Sequence, residues 1–239
     1  LVKERNFETA AKVSNEISQS LYARGVFFEQ MHPGWQELLS DQRGLFAQIE
    51  LKLGNQDFLP PREQIMKAFE ADPQSVKVVI VGQDPYPTPG VAIGLAFAIR
   101  RGTRPIPGSL RNIFKELGED IGQSANVDES LETWLRQGVL LLNRHLTCAS
   151  GQAGSHHNLG WAELTDAALR ALDKLHGSKL VVVLWGNQAQ QLESRLGKAQ
   201  VIRGVHPSPL SAHRGFLARN LLVTSTDYSL SRGCRQSTG

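Results

Sequence analysis

An aspartate, an asparagine and a histidine stand at one kind of position in this chain, immediately after a short apolar run. Asp84 lies in Gly82-Gln83-Asp84-Pro85-Tyr86, Asn143 closes Leu140-Leu141-Leu142-Asn143 with His145 beyond it, and His206 opens His206-Pro207-Ser208-Pro209-Leu210. A further apolar run is followed by Gly186-Asn187. A carboxylate stabilises developing positive charge or positions a water, an amide offers donors and an acceptor, and an imidazole exchanges a proton near neutrality. Singly, each has an ordinary alternative. Asp-Pro is a frequent turn, asparagine often ends a strand, and a histidine beside prolines can be purely structural.

The elements that must position them are legible as well. The runs Val76–Val81, Gly138–Leu142, Leu180–Trp185 and Gln200–Val205 are too continuous for half-exposed strands and too short for helices. Between them, Leu110, Ile113, Phe114, Leu117 and Ile121 share one helical face, as do Trp161, Leu164, Ala168, Leu172 and Leu175. Buried strands alternating with helices predict an α/β fold, a parallel sheet between helical layers. Such sheets hold ligands at the carboxyl ends of their strands, so the four exits predict one cleft. Of the 11 prolines, 85, 87, 89, 105, 107, 207 and 209 cluster in three loops. Each fixes φ and stiffens its loop, beyond ordinary turn punctuation.

Composition narrows the classes. A net charge of +3 and a pI of about 9.0 are only mildly basic. Distribution says more: Arg203, Arg214, Arg219, Arg232 and Arg235 face only Asp227 after Val201, and Arg100 to Arg111 contains arginines but no acid. Cys148 and Cys234 form no C-x-x-C pattern, which argues against a disulfide framework or a cysteine-ligated metal and suits a reducing compartment. His145, His156 and His157 fit no standard metal spacing. No run approaches a bilayer span, and the N-terminus, which begins at Leu1, carries no signal-peptide run. The expectation is one soluble, cytoplasmic domain over 1–239, with residues 1–24 as an N-terminal arm.

The motif blocks resemble the family 1 uracil-DNA glycosylases. The likeness runs from Gly82-Gln83-Asp84-Pro85-Tyr86 through Gly94-Leu95-Ala96-Phe97, Gly138–Asn143 with Leu146-Thr147, Gln152-Ala153, Ser155-His156 and Gly160-Trp161. It closes with His206-Pro207-Ser208-Pro209-Leu210-Ser211 and Arg214-Gly215-Phe216, and covers about Trp35 to Phe216. The resemblance implies a three-layer α/β/α fold with a central four-stranded parallel sheet. It also implies a cofactor-free monomer that flips uracil from single- or double-stranded DNA and hydrolyses its bond to the sugar, leaving an abasic site. Uracil-containing DNA is the implied partner, with a proteinaceous uracil-glycosylase inhibitor as a second. Three features depart from the family. Pro87-Thr88 replaces a usual His-Gly, Ile93 replaces a frequent histidine, and 217–239 forms an atypical tail without the usual phenylalanine and tryptophan segments.

On this resemblance Asp84 is the catalytic carboxylate that stabilises an oxocarbenium-like sugar and positions water. His206 is a neutral imidazole donating to uracil O2. Asn143 matches uracil N3–H and O4, a pattern that cytosine reverses. Phe97 stacks on the base, Tyr86 fills the place of a C5-methyl and so excludes thymine, and Gln83 contributes backbone contacts. Leu210 is the wedge that fills the vacated stack. Ser109, Ser208, Ser211 and Arg214 hold phosphates. No lysine occurs in any motif, so water is the nucleophile. Two rival readings are a DNA-binding protein on this scaffold that has lost catalysis and a metal-dependent hydrolase.

Overall fold

Four five-residue strands form a single parallel sheet: β1 (Val78–Gly82), β2 (Val139–Asn143), β3 (Val181–Trp185) and β4 (Gln200–Gly204), in the order β2-β1-β3-β4. The structure, a computed structural model, describes residues 26–121 and 128–216. The N-terminal arm expected over residues 1–24 and the tail over 217–239 lie outside the described residues, as does the side chain of Ile121. The four apolar runs are the four strands. Every residue of β1, β2 and β3 is buried, as continuous Val/Ile/Leu sequences require when helices cover both faces.

The expectation of burial on both sides fails for the fourth strand. β2 and β4 are the two edges of the sheet, and β4, unlike the wholly buried β2, is open to solvent: Gln200, Val201 and Ile202 are half-buried and Arg203 is exposed. An edge strand has a neighbour on one side only, and a charged side chain there discourages pairing with another chain.

Among the described residues, seven α-helical segments accompany the sheet: α1 (Val26–Glu29), α2 (Pro33–Leu38), α3 (Arg43–Leu53), α4 (Gly108–Ile121), α5 (Glu132–Arg136), α6 (Trp161–His176) and α7 (Asn187–Gln190). With the sheet they make a three-layer α/β/α fold. The apolar spacing places Trp161, Leu164, Ala168 and Leu172 of α6 in the core, while Leu175 is only half-buried near the end of the helix. On α4, Leu110 and Ile113 are buried, with Phe114 and Leu117 packed partly against the core.

Register determines where the loops emerge. Gly82 pairs with Asn143, and Trp185 pairs with Gly204, so the strands end at one level. The chain passes from β1 to β2 on one side and then crosses to β3 on the other. The loops beyond β1 and β3 therefore diverge, which opens a crevice at that rim.

Candidate active site

The β1 and β2 exits stay joined beyond the sheet. Arg144 donates its N–H to the Gly82 carbonyl and His145 to the Gln83 carbonyl, both at 2.9 Å. Asn143 is only 4% exposed, and it lies against the Gly82 backbone. A Cβ built on Gly82 would stand 2.3 Å from Asn143 Oδ1 and 2.9 Å from Ala96 Cβ. Only glycine leaves room for that amide. From the next residue, Thr165 Oγ1 of α6 donates to the Arg144 carbonyl (2.9 Å), and the Arg144 guanidinium meets Asp166 at 2.6 and 3.3 Å. Asp166 is buried and also pairs with Arg195.

Asp84 follows β1 with its side chain half-buried. Its Oδ2 accepts the N–H of Gly154 at 2.5 Å, across 70 positions of sequence. That backbone donor fixes the direction of the carboxylate. The loop that carries Gly154 is itself tied down by a buried chain of hydrogen bonds. Trp161 Nε1 donates to Thr147 Oγ1 (2.7 Å), which lies 2.9 Å from His156 Nδ1. Burial lowers the His156 pKa, consistent with a neutral ring in that chain. The Cys148 thiol donates to the Pro85 carbonyl, and burial pushes its pKa up to about 11, so it remains a thiol.

Phe97 sits at φ 63°, an aromatic residue in the left-handed region that costs about 1–3 kcal/mol and persists only when its surroundings enforce it. Several contacts do so. Ala96 donates its N–H to the Leu141 carbonyl (3.0 Å), Tyr86 Oη donates to the Phe97 carbonyl (3.3 Å), and the ring meets Trp185 edge-on at 5.5 Å. Burial raises the Tyr86 pKa well above that of an ordinary phenol, so it remains a neutral donor. The Phe97 ring also lies 6.0 Å from the His206 ring.

His206 Nδ1 accepts the Ser208 N–H at 3.0 Å, which leaves the ring proton on Nε2. Burial lowers the His206 pKa, favouring that neutral donor form. The loop is otherwise held by its own short-range bonds: Ser211 Oγ donates to the His206 carbonyl (2.9 Å), and Leu210 donates its N–H to Ser208 Oγ (3.3 Å). One outside tie comes from α4, where Asn112 Nδ2 donates to the Pro207 carbonyl (2.8 Å). Ser109 is the second residue of α4, and Leu210 is 83% exposed at the tip of the loop.

A cleft of about 800 Å³ opens along this rim. Gln83, His206, Ser211 and Arg214 line it, together with Arg144, His145, His157 and Trp185. Asn143 and Phe97 pack directly behind that wall, against Gly82 and against Trp185 and His206 respectively. The sequence marks Trp185 only as the last residue of a strand, and Gly154 contributes a backbone N–H that has no sequence signature. Nothing in the spacing marks Asp166 and its two arginines either. Among the described residues no group of three His, Cys, Asp or Glu side chains is placed to hold a metal, and no helix is long and apolar enough to cross a membrane.

The fold is thus a parallel α/β/α sheet with a cleft at its switch point, a neutral imidazole in the lining and a buried amide behind the wall, while Asp84 and Tyr86 are not among the lining residues. Residues 69–224 match the family model for the uracil DNA glycosylase superfamily, and the chain belongs to that superfamily. It is 48% identical to the uracil-DNA glycosylase of Corynebacterium efficiens, over 82% of this chain and 84% of the relative, and 42% identical to that of a Parafrankia species, over 86% and 93%. Among solved structures, mimivirus uracil-DNA glycosylase superposes with a TM-score of 0.79 at 25% identity, covering 86% of each chain. A mimivirus variant in complex with UGI matches equally well, over 85% of this chain and 86% of that one.

Proposed function

We infer that this protein is a uracil-DNA glycosylase: it extrudes uracil from DNA and hydrolyses the N-glycosidic bond, releasing the free base and leaving an abasic site. The observation that supports the reading is the pairing of Gly82, two residues before Asp84, with Asn143 at the ends of β1 and β2, together with the contact of the Phe97 and His206 rings. As the C1′–N1 bond breaks, its electron pair leaves with the base and the sugar becomes positive. The Asp84 carboxylate faces that charge. At roughly 4 Å and an effective dielectric near 20, the attraction is about 4 kcal/mol, roughly a thousandfold in rate. Water then adds to C1′, and the proton it gives up neutralises the departing uracil anion.

The leaving base gathers negative charge on O2, where the Nε2–H of His206 donates. Because Ser208 holds Nδ1, the imidazole acts as a donor rather than an acid. Asn143 pairs with N3–H and O4, and its burial makes a mismatched base costly. Phe97 stacks on the ring, Tyr86 excludes a C5-methyl, and Gln83 offers backbone contacts. Ser109, Ser208, Ser211 and Arg214 grip phosphates, while Leu210 enters the stack that the base has left. A proteinaceous inhibitor competing with DNA for this rim is the second expected partner.

The test is incubation of purified protein with a uracil-bearing oligonucleotide, single- and double-stranded, followed by alkali. Strand breaks confined to the uracil position, undiminished by EDTA, are expected. DNA binding without breaks would establish the inactive reading, and loss of activity in EDTA the metal-dependent one.

A further inference from the structure

One side of the cleft contains a histidine that this mechanism does not use. His145 is 7% exposed and lines the cleft, yet its ring makes no hydrogen bond among the described residues. Its Nδ1 is sealed where no acceptor reaches it, so the ring proton is better placed on Nε2, the nitrogen left to face the cleft. The His157 ring stacks against it with centroids 4.2 Å apart and planes tilted by 31°. Burial, then the charges of His157 and Arg144, push the His145 pKa down to about 4, so it is a neutral donor at neutral pH.

The surroundings select for an anion. Arg144 and Arg195 share one carboxylate, Asp166, which leaves an excess positive charge at this end. No aspartate or glutamate lines the cleft. The pair is also close to the reacting centre. His145 bonds through its N–H to Gln83, and a Cβ on Gly154, the residue that holds Asp84, would lie 2.9 Å from the His157 ring. A polyanionic strand whose target sugar reaches Asp84 must carry its next phosphates along one wall or the other. Arg214 and the serines stand on the His206 side.

We propose that Arg144, His145 and His157 form a second anion subsite, which takes a phosphodiester of the DNA strand next to the extruded nucleotide. The proposal rests on the uracil-excision reading. The His145 Nε2–H donates to a phosphate oxygen, His157 backs the ring and supplies a second donor, and Arg144 provides the field. The Nε2–H faces the cleft and exchanges water for a phosphate oxygen on binding, with little ordering cost because the ring is already packed.

The experiment measures binding and turnover on uracil oligonucleotides whose phosphates are replaced, one at a time, by neutral methylphosphonates. The native protein should lose about tenfold in affinity at one phosphate near the uracil. The His145→Leu/His157→Ala double variant should lose about tenfold on the unmodified strand and nothing further at that phosphate, with kcat within about twofold. Its log–log salt slope should fall by about one. The single variant His145→Gln, which keeps a donor, should retain the phosphate sensitivity and guards against a folding defect. Millimolar inorganic phosphate should compete weakly with the native protein and not with the double variant. Equal methylphosphonate sensitivity in native and double-variant proteins would overturn the subsite while leaving uracil release intact. Retained phosphate coupling in a protein that releases no uracil would instead overturn the functional reading.

Discussion

The rim beyond β1 and β2 and the loop beyond β4 are held by different means. At the first, Asn143 is 4% exposed and pressed against Gly82, and Asp84 is gripped by a residue 70 positions away. The Thr147–His156–Trp161 chain and the Arg144–Asp166 pair clamp both strand exits from α6 and its approach. The loop beyond β4 leaves an edge strand, is held mainly by bonds between neighbours, and presents Leu210 83% exposed. Reading a base by hydrogen bonds requires dry, preset partners, since misplacement leaves buried groups unpaired. Entering a duplex requires an apolar tip that water does not hold. His206 joins the two regions, anchored in the loop but touching Phe97.

Substitutions on the rigid side should therefore affect chemistry and base choice, and those on the loop should affect access to DNA. The largest effect is expected for Asp84→Asn: kcat falls about a thousandfold while the dissociation constant for uracil DNA stays within a few-fold, measured by single-turnover kinetics and anisotropy. A variant that lost binding instead would place Asp84 on the access side. Next is Gly82→Ala, which touches no substrate atom. Its methyl would lie 2.3 Å from Asn143 Oδ1, so the amide must move. A loss of about a hundredfold in kcat/KM for uracil is expected, with thermal stability lowered only modestly. Unchanged kinetics would show that Asn143 does not need its present place.

Stability against pH sharpens the same contrast. The His145 pKa is depressed from 6.5 to about 4, so the unfolded chain takes up a proton that the folded protein refuses between those values. Stability should then fall as pH drops from about 6.5 toward 4, by about 2 kcal/mol at pH 5 for this one group. Denaturant titrations at pH 7 and pH 5 measure it, and His145→Leu, facing His157 and Arg144, should flatten the difference. The smallest effect belongs to the loop. Leu210→Ala should cost about tenfold on duplex substrate and little on single strands. Equal losses on both would remove the wedge role.

Much of this was legible because strands and their exits are local patterns. The apolar runs match all four strands to within two residues, and in-register pairing ends β1 level with β2 and β3 level with β4. The partial exposure of β4 is not legible, since strand order and what covers each edge are properties of the whole chain. Gly154 was invisible for a different reason: it acts through its backbone, and nothing in its side chain marks it as the partner of Asp84. Trp185 read as one more buried strand residue, although its ring holds Phe97 in a strained conformation. His145 stands at a strand exit in the sequence, but its unpartnered Nδ1 is a fact of packing, not of spacing.

The most direct test of convergence on one base is a crystal structure of Asp84→Asn with a duplex containing a single uracil. The account predicts an extruded uracil stacked on Phe97, its N3 and O4 on the Asn143 amide and its O2 toward His206 Nε2, with Leu210 in the stack. A uracil lying elsewhere in the cleft, or still paired in the helix while these side chains touch nothing, would contradict it.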